Sequence, residues 1–168
     1  MFAAFLLLSF LFTVTELYLR CRGIFLPLLP CWIFYLAVFA GWRKGVAAGI
    51  FLGLVMDLLT ASSLPVQMFV FPCVVIPARV WLTKVESDSL TSHLLYGAIL
   101  PLIVYLPQML CVSLQCLLRF LPYMIPLCMF SAILLPCMIL FLDSLAERFG
   151  FPLYANVKLQ LKRGTLPL

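Results

Sequence analysis

The chain has 168 residues, 65% hydrophobic and 10% charged, with a formal net charge of +5 and a mean hydropathy of +1.20. Soluble domains carry about a quarter charged residues to cover their surface, so this composition excludes a soluble fold of this size and makes lipid the natural solvent. The basic residues fall between apolar runs and at the C-terminal end, without aromatics interleaved on a polar face, which excludes nucleic acid as a partner.

A bilayer-crossing helix needs about 20 mostly apolar residues, and the charges divide the chain into six candidates. The first, Phe2 to Leu19, has Glu16 near its end; lacking a basic start and a small-residue cleavage site, it reads as a retained span. Arg20 and Arg22 separate it from the second, Ile24 to Gly41, which Arg43 and Lys44 end. The third, Gly45 to Thr60, is short and carries Asp57 in its last turns. Ala61-Ser62-Ser63 then makes a tight polar turn into the fourth, Leu64 to Leu82. After the polar stretch Thr83 to His93, where Thr91 or Ser92 is placed to cap the next helix, the fifth runs from Leu94 to Leu118. Arg119 divides it from the sixth, Phe120 to Leu142. The expected fold is therefore all-α, a bundle of about six transmembrane helices over residues 1–142 followed by a basic cytoplasmic tail, 143–168.

Lys and Arg are retained on the cytoplasmic side. With both termini inside, that side holds Arg43, Lys44, Arg79, Lys84, Arg148, Lys158, Lys162 and Arg163, against Arg20, Arg22 and Arg119 outside. A five-span division, merging Gly45 to Leu82, weakens this bias. Nine of the 12 prolines (Pro27, Pro30, Pro72, Pro77, Pro101, Pro107, Pro122, Pro126, Pro136) lie beyond the second residue of a span. Each removes an amide donor and frees a carbonyl, so kinked helices are expected; a pocket lined by broken helices is the alternative.

Glycine recurs every four residues at Gly41, Gly45, Gly49 and Gly53, and Asp57 takes the next step. Small residues at this spacing let helix backbones approach closely in lipid. Each step drifts by ~40° around the helix, so Gly49, Gly53 and Asp57 share one contact surface while Gly45 lies on a neighbouring strip. Asp57 is ~18 Å along the axis from Gly45, where an ionised carboxylate must be paired, hydrated or neutralised. Two readings stand: hydrogen bonding at the turn into the fourth span, with Ser62 and Ser63 at hand, or direct interaction with a partner.

The single histidine, His93, excludes His-based zinc sites and His-dependent triads. The 7 cysteines contain no C-x-x-C and read as small buried hydrophobes. Asp57 and Asp143 fall toward opposite ends of the bundle and so cannot share a proton, which needs about 3 Å. No catalytic set, metal site or cofactor site is expected. In the tail, Asp143 and Glu147 can pair with Arg148, and the alternating stretch from Asn156 to Leu166 carries Lys158, Lys162 and Arg163. These basic residues suit an anionic lipid surface, or a docking strand for a partner's sheet edge.

The segment from Pro30 to Val80 resembles the rod shape-determining MreD family of bacterial inner-membrane proteins. The residues that carry the likeness are Gly49-x-x-x-Gly53-Leu-x-x-Asp57-Leu-Leu, followed by a short polar turn and an apolar span. Where members carry a glycine after that turn, this chain has Leu64-Pro65-Val66. The resemblance implies a non-enzymatic, multi-pass component of the cell-elongation machinery in the bacterial inner membrane. Its implied partners are an MreC-like protein and, through it, an MreB-like filament and the peptidoglycan synthases. It also implies a fold similar to the substrate-binding subunits of energy-coupling-factor (ECF-type) transporters, and small-molecule binding in such a transporter is the alternative function.

Overall fold

The apolar runs become helix. The computed structural model describes residues 2–61, 64–84, 90–112 and 114–148, and among them lie six helices and no strand: α1 (Phe2–Cys21), α2 (Leu28–Ala40), α3 (Trp42–Leu59), α4 (Val66–Lys84), α5 (Leu90–Val112) and α6 (Leu114–Arg148). The architecture is all-α.

Several boundaries differ from those the charges suggest. Residues 24–27 are not helical, and α2 is left with 13 residues, about 20 Å against the ~30 Å of a bilayer core. Arg43 and Lys44 do not terminate a helix; they sit in the first turn of α3, directly after the single hinge residue Gly41. Arg119 does not divide two helices either, since α6 begins at Leu114 and continues through Arg119, Pro122, Pro126 and Pro136. It also carries Asp143, which the sequence reading assigns to the tail, and ends at Arg148. With 35 residues, α6 is roughly 52 Å long. Long side chains with no charge between Phe120 and Leu142 give the backbone no reason to break there. Proline alone kinks a helix without ending it when neighbours occupy the gap.

Two turns rest on glycine. At the end of α1, Gly23 has a φ of 77°, and the bonds Gly23 N–H to the Arg20 carbonyl (2.9 Å) and Ile24 N–H to the Leu19 carbonyl (2.9 Å) form a Schellman motif. Between α2 and α3, Gly41 holds φ 89° and ψ 157°, a conformation open essentially to glycine alone, and its carbonyl accepts the Gly45 N–H at 2.9 Å.

The core centres on α2, where Leu29, Trp32, Ile33, Phe34 and Tyr35 are all buried; a helix apolar on every face belongs at the centre of a bundle. Around it pack α1, α3, α4, α5 and α6, with the closest pairings between α5 and α6 and between α3 and α4. Tyr96 of α5 donates to the Val74 carbonyl of α4 at 2.8 Å, three residues before Pro77. Among the described residues two stretches are long and apolar enough to cross a membrane, Thr91–Cys111 and Phe120–Leu145, and only 33% and 28% of them is buried inside the molecule. The large apolar side chains left outside include Leu7, Phe10, Phe69, Ile125, Phe130 and Leu140. Cysteines follow the same pattern: Cys31 is buried, but Cys21, Cys73, Cys111 and Cys137 are exposed, against the expectation that these thiols fill the interior.

Candidate functional site: two buried carboxylates and a glycine line

Gly49, Gly53 and Asp57 lie along one line of α3 that faces α4. A Cβ on Gly49 would stand 3.0 Å from the Pro72 backbone nitrogen, and one on Gly53 would collide with the Gln67 carbonyl oxygen. Gly45 faces a different helix, its missing Cβ 2.8 Å from the Cα of Ala37 in α2. The i+4 ridge winds round α3 and so serves two neighbours in turn.

Asp57 is 5% exposed. Its Oδ1 accepts the Gln67 N–H at 3.2 Å and its Oδ2 the Met68 N–H at 2.9 Å. Both amides belong to the first turn of α4, whose N–H groups have no partner within the helix. The carboxylate therefore acts as an N-cap delivered from a neighbouring helix, and it meets the positive end of the α4 dipole. Ser62 and Ser63, the expected donors, lie outside the described residues. Leu64-Pro65-Val66 shapes this start: the Val66 N–H turns back to the Leu64 carbonyl at 2.8 Å, leaving the next two amides for Asp57.

The same device occurs once more, at a residue that sequence reasoning passed over. Glu16 of α1 is 0% exposed. Its Oε2 accepts the Leu29 N–H at 2.6 Å, in the first turn of α2, and its Oε1 accepts Arg20 Nη2 at 2.6 Å. Here too a Leu-Pro dipeptide precedes the helix, and the Leu28 N–H bonds the Leu26 carbonyl at 3.0 Å.

Glu16 and Arg20 belong to a stripe, Ser9, Thr13, Glu16 and Arg20, spaced 4, 3 and 4 residues apart and therefore on one face of α1. Thr13 Oγ1 donates to the Ser9 carbonyl at 2.7 Å, and Ser9 Oγ accepts Trp32 Nε1 at 2.8 Å. Trp32 stacks on Tyr35, ring centroids 5.9 Å apart and planes 11° from parallel. The Tyr35 hydroxyl in turn donates to Asp143 Oδ1 at 3.4 Å. The spacing of polar residues within an otherwise apolar helix is the signal that could have found this stripe. Gly97, another position outside the α3 ridge, lets α5 approach α6: a Cβ there would stand 2.6 Å from the Ser131 carbonyl oxygen.

Of the remaining sequence-predicted residues, Arg148 is exposed at the end of α6, and Lys158, Lys162 and Arg163 lie outside the described residues. Asp57 and Asp143 engage separate partners and are not brought together as a pair. Among the described residues no three His, Cys, Asp or Glu side chains converge. In chemical terms, the buried acids accept amide hydrogens and hold one helix start against the preceding helix. No family model, curated protein or solved structure matches this chain.

Proposed function

We propose that the chain is a multi-pass protein of the bacterial cytoplasmic membrane, with both termini in the cytoplasm, that acts without catalysis as a scaffold of the cell-elongation complex. One observation carries this reading: the buried acids Glu16 and Asp57 are engaged in holding helix starts, while the outward surface is a belt of large apolar side chains. A molecule built this way offers lipid and partner helices a shape more than a reactive group. The run Gly49 to Asp57 supports the likeness to the MreD family.

The glycine line meets α4 of the same chain, so the partner surface is better sought elsewhere. The outer face of α1, with Leu7, Phe10, Leu11, Val14 and Tyr18 exposed, suits a single-span MreC-like partner, through which an MreB-like filament and the peptidoglycan synthases would be reached. The ECF-type alternative has less support, because a polar vitamin needs several convergent polar groups and the groove between α5 and α6 is lined almost wholly by apolar side chains.

The test is complementation. Expressed in a rod-shaped bacterium depleted of its own MreD-type protein, the chain restores rods and co-purifies with the MreC-like protein. Round cells, with the chain present in the membrane and no co-purification, would overturn the scaffold reading. Replacing Phe10 and Val14 with serine is expected to weaken co-purification without lowering the amount of chain in the membrane.

A further inference from the structure

At the end of the bundle where α1 and α5 finish and α6 begins, three buried polar groups donate no hydrogen bond, Arg20 Nε, the Tyr105 hydroxyl and Gln108 Nε2, with the Tyr105 oxygen turned toward the Arg20 guanidinium. Tyr105 is 1% exposed, and the Arg20 guanidinium lies 5.8 Å from its ring centroid. Gln108 follows one turn later on α5. Arg22, beside Gly23 at the same end, donates to the Tyr18 hydroxyl at 3.2 Å. Among the described side chains at this end, Arg20 and Arg22 together outnumber Glu16 by one positive charge.

Tyr105 also lines a groove of about 630 Å³ between α5 and α6, within the roughly 300–1,000 Å³ of small-ligand sites. Leu102, Leu106, Ile125, Cys128 and Met129 form part of its wall. A second apolar groove, of about 530 Å³, runs along the other side of α6 past Gly23 and Phe25. The two share Phe120, which packs edge-on against Phe25 with centroids 5.7 Å apart. Both grooves lead from the donor-bearing end toward the middle of the bundle.

We propose that these grooves hold an anionic phospholipid of the bilayer. Its phosphodiester or ester oxygens accept from Tyr105, Gln108 and Arg20, and its chains lie on either side of Phe120. The polarity fits an amphiphile: donors and positive charge at one end, apolar walls along the rest. A partner helix fits less well, since at a diameter of about 10 Å the larger groove would take only about a turn and a half of it. An acyl chain is a single methylene wide.

The inference rests on the membrane reading, and the test separates the two. The full chain is first floated with vesicles of phosphatidylcholine and phosphatidylglycerol; failure to co-float overturns both. The purified chain in detergent is then offered each lipid separately, and retained lipid is counted by native mass spectrometry. One phosphatidylglycerol per chain is expected, held in preference to phosphatidylcholine. Tyr105→Phe combined with Gln108→Leu lowers that preference by about tenfold, the effect of lost hydrogen bonds to the head group. Cys128→Trp, and separately Ile125→Trp, fill the groove and abolish retention while helicity by circular dichroism is kept. Equal retention of both lipids by a chain that floats, unchanged by these substitutions, would overturn the site alone. So would a Cys128–Cys128 disulfide dimer formed within the vesicles, which would put a second copy where the lipid is placed.

Discussion

At the scale of single residues, Glu16 and Asp57 do the same physical work with different neighbours. Each places two carboxylate oxygens in a setting with little water, and Asp57 gives both to charge-assisted amide bonds, each contributing about 1.5–3 kcal/mol. Asp57→Leu is therefore expected to lower unfolding stability by ~3 kcal/mol or more, and Asp57→Asn by about half as much because one acceptor oxygen survives; unfolding titration in a mild detergent reads both. Equal stability of the leucine variant and the parent would remove the capping account. Glu16 divides its oxygens between the Leu29 amide and Arg20, so Glu16→Leu strands a largely buried guanidinium and should cost about 3–5 kcal/mol. Adding Arg20→Met should recover much of that loss, and a double-mutant cycle measures the coupling. Asp57 stood out in the sequence because no base lies near it. Glu16 did not, since Arg20 one turn on makes it resemble an ordinary surface pair; the 4, 3, 4 spacing from Ser9 was the overlooked cue. That both acids receive helix starts depends on backbone direction, which residue identity alone does not carry.

Between elements, the decisive quantity is how near two backbones can come. Gly53 has the α4 backbone where its side chain would be, and neither backbone can retreat without moving a helix. Gly53→Ala should destabilise by about 1–3 kcal/mol through overpacking. Gly41→Ala should do so by a similar amount for a different reason, since a Cβ at Gly41 meets nothing within 4 Å and the penalty is backbone strain of order 1–3 kcal/mol. The two are told apart by Gly→Ser: serine worsens the crowding at Gly53 and changes little further at Gly41. Helix existence was legible from hydropathy throughout the described residues. The boundaries were not, because Arg43, Lys44 and Arg119 were treated as ends when helices tolerate charged residues. Whether a charge ends a helix depends on what its neighbours can bury.

For the whole molecule, the large apolar side chains exposed on the described helices are the property that the membrane proposal depends on. The native cysteines report on it. With each retained singly in an otherwise cysteine-free chain in vesicles, Cys73 and Cys137, both exposed in mid-helix, are expected to resist a membrane-impermeant maleimide until detergent unfolds the protein. Cys21 and Cys111, near the ends of α1 and α5, are expected to react from the outer side. Rapid labelling of Cys73 and Cys137 in intact vesicles would put water where lipid is proposed. Composition pointed to lipid as the solvent, whereas the depth of α2 in the core was not legible, because an all-apolar run looks the same whether protein or lipid surrounds it. The paired caps also bear on the order in which such a chain is made. Each carboxylate precedes the amides it receives, by 13 residues for Glu16 and by 10 and 11 for Asp57. A growing chain thus already holds what the start of α2 or α4 requires when that helix leaves the ribosome, so each hairpin can close without waiting for anything synthesised after it.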